Sequence, residues 1–98
     1  MSDQKRGYLV AYDINDDCRR NHVAKILQRC GERLQYSVFL LRVRPSKMLD
    51  VRMRIEGEID SETDSVVFCA MGTIEQTEQG MDFLGRRNYA DLEIPSII

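Results

Sequence analysis

Between Tyr8 and Ile14 nearly every position is apolar, which predicts a strand covered on both faces, with Asp13 the one interruption on the side of Leu9 and Ala11. The period then lengthens. Val23, Ile26, Leu27 and Cys30 recur at i, i+3, i+4 and i+7, one buried stripe of a helix that Asp16 or Asp17 can cap and that Gly31 ends as a left-handed C-cap. In "ERLQYSVFLLRVRP", Leu34, Tyr36, Val38 and Leu40 alternate with polar residues, after which Leu41 and Val43 take over as the apolar positions. That switch of phase predicts a bulge, or a break into two strands, near Phe39. Pro45 and Ser46 open a second helix with Met48, Val51, Ile55 and Ile59 inward, and "SVVFCAMG" reads as another central strand. The acidic stretch "TIEQTEQG" and the aperiodic "MDFLGRRN" read as loop, or as one short turn of helix. Strict alternation returns in "YADLEI", a late strand that pairs with its own sheet or with a neighbour's.

Strand, helix, one or two strands, helix, strand and late strand is the order of an α+β sandwich of the ferredoxin-like kind, an antiparallel sheet with two helices on one face. The other face of such a sheet is bare, yet the first strand is apolar on both sides. A second copy packing there would cover it, so a homodimer is expected. The 98 residues, 43% hydrophobic, suffice for one core and one domain: a unit over residues 7–72, then an arm and strand over 73–98. Sixteen acids against 14 bases exclude a uniformly basic nucleic-acid binder but leave room for local patches, and Arg42, Arg44 and Lys47 form one. Arg86 with Arg87, and Arg52 with Arg54, add others. Separated patches suit contact with duplex backbone rather than base reading. Cys18, Cys30 and Cys69 form no CxxC pair, which points away from a zinc site or disulfide framework and toward a reducing, cytoplasmic setting. No apolar run approaches the roughly 18 residues of a membrane span.

Three blocks then narrow the reading. "YDIxxxxRR", "GERLQYSVF" and "DSVVF" together resemble, in order and spacing, the smaller CRISPR adaptation protein family, the CRISPR-associated dimeric endonuclease that partners the CRISPR integrase. The resemblance implies a ferredoxin-like homodimer, with the aspartate ending the first strand, here Asp13, near the dimer axis as catalytic residue and ligand of Mg2+ or Mn2+. One carboxylate is a sparse set for Mg2+, which accepts one or two carboxylates plus waters and phosphate oxygens, so two copies of Asp13 would supply the pair. The same resemblance makes Arg19 and Arg20 the family's basic pair, and sets Arg33, Gln35, Ser37 and Phe39 near the site. Arg19, four residues before Val23, leans toward the buried side, where Asp13 or another acid is a candidate partner. Leu40 stands where the family commonly carries a glutamate, which separates the hydrolytic expectation from those of fold and dimer.

The resulting expectation is an adaptation subunit that binds duplex DNA and bridges integrase dimers for spacer acquisition, with metal-dependent endonuclease activity on RNA or DNA. The rival expectation is a stand-alone, toxin-like endoribonuclease of the same fold, and a third is a regulatory domain holding a small ligand between protomers.

Overall fold

A computed structural model describes residues 4–85. Its elements are β1 (Arg6–Asp13), α1 (Asp17–Gln28), β2 (Gly31–Gln35), β3 (Val38–Val43), α2 (Pro45–Glu56), β4 (Ser65–Thr73) and α3 (Ile74–Gly80). The strands form one antiparallel sheet in the order β2-β3-β1-β4. This is the expected ferredoxin-like α+β arrangement. The expected late strand over residues 89–94 lies outside the described residues. Among those described, no helix is long and apolar enough to cross a membrane.

The core follows from the two periods in the chain. Val10 and Tyr12 of β1, Phe39, Leu41 and Val43 of β3, and partly buried Val66 and Phe68 of β4 meet Val23, Ala24 and Leu27 of α1 and Met48, Val51 and Ile55 of α2. Val10, Val23, Leu27, Phe39 and Leu41 are fully shielded, and each such side chain stabilises by about 1.5–3 kcal/mol relative to exposure. Asp16 caps α1 by accepting a hydrogen bond from the Arg19 amide at 2.9 Å. Ile59 packs on the core from just beyond α2, which ends at Glu56.

The expected break into two strands is present and falls at Tyr36 and Ser37, just before Phe39, so Leu40 and Leu41 are both buried, on opposite faces of β3. Two other expectations change. Gly31 is not a left-handed cap, since α1 stops at Gln28 with Arg29 in a right-handed conformation. Gly31 instead begins β2, where any Cβ would come within 2.7 Å of the Leu40 carbonyl oxygen. The acidic stretch after Gly72 is a helix, α3, fastened by a capping box in which Thr73 and Gln76 exchange side-chain-to-backbone hydrogen bonds of 3.0 Å.

The third helix also revises the expectation of a bare face. Thr77 is fully buried against Gly7, and Met81 and Phe83 line a cavity with Glu32, Leu34, Leu40, Arg42 and Glu78. α3 thus seats on β1 at Gly7 and reaches β3 through Glu78 and Arg42, and the segment after it borders Leu34 and Leu40 across the cavity. Another part of the outer face stays open: Leu9 and Ala11 are partly exposed, opposite Cys69 and Val67 of β4, and Val67 is 57% exposed.

Candidate functional site

β1 ends at Asp13, opposite Ser65 at the start of β4, on the same outer side as Leu9 and Ala11. Three connections fix this end of the sheet. The Tyr12 amide donates to the Ser37 carbonyl at 3.1 Å, tying the turn between β2 and β3 to β1. Arg20 donates through one guanidinium nitrogen to the carbonyls of Ile14 (3.0 Å) and Asn15 (3.2 Å), and through the other to Asp17. Arg19 forms a two-pronged contact with Asp64, Nε to Oδ2 at 2.8 Å and Nη2 to Oδ1 at 3.2 Å.

Asp64 is almost wholly shielded, at 1% side-chain exposure, and also accepts from the Asp60 amide at 2.8 Å. Arg19 first, and the Asp60 amide second, hold its carboxyl below the usual carboxylate range. Arg19 therefore finds another acid, not Asp13, and the 45 intervening residues hide that pairing from any local spacing rule. Both arginines act as braces: Arg19 joins α1 to the entrance of β4, and Arg20 closes the loop that follows Asp13.

The acids around the loop are thereby sorted. Asp16 caps α1, Asp17 pairs with Arg20 and Asp64 with Arg19, whereas among the described residues the exposed Asp13 carboxylate engages in no hydrogen bond or ion pair. Among the described residues no group of three or more histidine, cysteine or acidic side chains could hold a metal ion. Among the described residues the Asp13 end therefore offers a divalent ion a single carboxylate, whereas Mg2+ accepts one or two carboxylates together with waters and phosphate oxygens.

The remaining candidates divide between the two ends of the sheet. Ser37 lies in the turn beside Tyr12, and Gln35 is exposed at the end of β2. Arg33 spreads its guanidinium over Phe39 (5.0 Å) and Tyr36 (5.6 Å) and reaches the Tyr12 hydroxyl at 3.4 Å. Phe39 is fully buried and stacks on Tyr12 at 6.3 Å, which makes it a core residue beneath the site. Arg42 and Arg44 are at the opposite end, since Arg42 pairs with Gly7 in the register. At the usual rise per strand residue, that is roughly 20 Å from Asp13. Arg42 is clamped by Glu32 and Glu78, each at 2.6 Å. With Lys5, Arg44 and Lys47 it borders an open cleft of about 570 Å³ that also contains Asp50. The basic cluster seen in the chain is thus gathered in space, apart from Asp13. The cations of α2 face carboxylates one turn away: Lys47 and Arg54 with Asp50, and Arg52 with Glu56. Arg86 and Arg87 lie outside the described residues.

Residues 7–78 match the family model of the CRISPR associated protein Cas2. The chain belongs to the Cas2 family. It is 33% identical over 85 residues to a Rhodospirillum rubrum protein named CRISPR-associated endoribonuclease Cas2 1, covering 87% of this chain and 83% of the relative. A Synechocystis Cas2, also named an endoribonuclease, is 43% identical over 61 residues, 62% of this chain and 66% of the relative. The crystal structure of Streptococcus pyogenes Cas2 superposes with a TM-score of 0.71 at 34% identity, covering 81% of this chain and 99% of that one. The family match spans β1 through most of α3, so it includes Asp13, both braces and the Arg42 clamp.

Proposed function

We propose that this Cas2 chain acts as a homodimer in CRISPR adaptation, binding duplex DNA and bridging integrase dimers, with Asp13 of each copy directed at one sugar-phosphate backbone. The observation that carries the reading is the Asp13 carboxylate: exposed, without a partner among the described residues, and adjoining the open apolar strip of Leu9, Ala11 and Val67. Apolar surface of that kind is stabilised by a second layer, and a layer supplied by another copy brings the two acids together. The cleft bordered by Lys5, Arg44 and Lys47 supports contact with phosphates at the far end of the sheet. The test mixes the purified chain and its integrase partner with a duplex of mixed sequence. Binding is expected near 50 mM salt and should weaken on the order of a thousandfold by about 200 mM; no binding in either buffer overturns the reading.

A second reading, hydrolysis of RNA, is favoured by the name endoribonuclease carried by both relatives and by the same Asp13. A divalent ion bound there would lower the pKa of its water and offset charge on a phosphate. Each of two copies would supply its Asp13 as a ligand, with Arg20 holding the loop behind it. Asp13→Asn is expected to cut the cleavage rate of a single-stranded RNA by about a hundredfold or more in Mg2+ or Mn2+, about 3 kcal/mol of barrier or more, while sedimentation shows the dimer intact. Undiminished cleavage by the variant would remove Asp13 from the site.

A further inference from the structure

Apart from the Asp13 end, one group of reactive side chains is left unused by the fold. Cys18 and His22 are one turn apart on α1, a spacing that stacks their side chains on one face, with Sγ 3.9 Å from His22 Nε2. The opposite ring nitrogen, Nδ1, is 2.9 Å from Oε1 of Glu58, which follows α2. Cys18 is exposed, and the His22 and Glu58 side chains are 49% and 39% exposed. None of the three belongs to the buried core.

Thiol, imidazole and carboxylate in that order form the relay by which a nucleophile passes its proton to a base oriented by a third group. A carboxylate beside Nδ1 favours the tautomer with hydrogen on Nδ1, which leaves the Nε2 lone pair facing sulfur. The other two thiols differ. Cys30 is half-buried, donates weakly to the carbonyls of Ile26 (3.6 Å) and Leu27 (3.8 Å), and is pushed up in pKa by burial. Cys69 lies on the outer sheet face opposite Leu9, and among the described residues no histidine adjoins it.

We propose that Cys18 is a modification site for low-molecular-weight disulfides, with His22 as base and Glu58 as the residue that positions it. His22 Nε2 takes the Sγ proton, Sγ attacks one sulfur of the disulfide, and the S–S bond breaks as the Cys18 mixed disulfide forms. The departing thiolate takes the proton from His22 and leaves as a thiol. Cys18 is oxidised and the released sulfur reduced, so no further oxidant enters.

The test treats the full chain with glutathione disulfide near neutral pH and follows each cysteine by peptide mass spectrometry. The reference is a synthetic peptide of residues 15–21, which holds Cys18 without His22. Cys18 in the folded chain is expected to react about tenfold faster than the peptide, a modest share of what a positioned base supplies. His22→Ala should bring it down to the peptide's rate, imidazole added to the buffer should restore part of the loss, and Glu58→Gln should slow it several-fold. Continued protection of Cys30 in each variant reports an intact core. A Cys18 no faster than the peptide, a His22→Ala chain that reacts like the parent, or one that imidazole fails to rescue overturns the proposal, leaving His22 and Glu58 as a surface ion pair only.

Discussion

Arg19 and Asp64 show how one pair of side chains ties distant parts of this chain to one another. Because Asp64 is held below the ordinary carboxylate range, its contribution to stability is fully present above the unfolded value of about 3.9 and is lost as pH falls through the lower folded value. Urea unfolding measured from pH 6 down to pH 3 should show that loss, and Asp64→Asn should be less stable at pH 6 and flatten the acid limb of the curve. An unchanged limb would mean that other carboxylates dominate acid unfolding. Gly7 makes a second test. A Cβ there would sit 2.0 Å from Thr77 Oγ1, so Gly7→Ala must displace α3 or the strand and is expected to cost about 1–3 kcal/mol in the same assay. That a carboxylate at Asp13 interrupts an apolar run was visible in the sequence, while its assignment to a site came from the family resemblance alone. The partner of Arg19 was not, because a contact across 45 residues leaves no periodic trace.

At the scale of the element, β1, both long helices and the hairpin strands were readable because each carries its own period of two or 3.6. The third helix was read only as a loop or a single short turn. Its seven residues, IEQTEQG, have little apolar character, and an isolated helix of that length is marginal in water. What holds it is partly local and partly tertiary: the T-x-x-Q capping box, which the spacing of Thr73 and Gln76 does announce, together with the Glu78 contact to Arg42 and the seating of Thr77 on Gly7. Thr73→Ala should therefore cost about 1 kcal/mol. Hydrogen exchange should register the change in the α3 amides before those of β1 and β3, since elements with few buried contacts open first. Equal loss of protection throughout would show that α3 and the sheet unfold as one unit.

For the molecule as a whole, the outer sheet face divides the chemistry. One part carries α3 on Gly7 and the Arg42 clamp; another presents Leu9, Ala11 and Val67 beside Asp13. If that open part joins two copies, Val67→Asp places a charge in the contact and should shift sedimentation from dimer to monomer while leaving the circular dichroism spectrum unchanged; a persistent dimer would move the interface elsewhere. The need for a cover was legible from the apolar character of β1 on both faces, whereas its partial fulfilment by α3 depends on a helix that the sequence pattern concealed. The strand order carries a consequence for synthesis. β1 emerges from the ribosome first, yet it occupies the interior of the sheet, with β3 on one flank and β4, made last of the four, on the other. Until residue 73 is translated its second flank has no mate, so a chain halted at residue 60 should lack cooperative unfolding and invite chaperones.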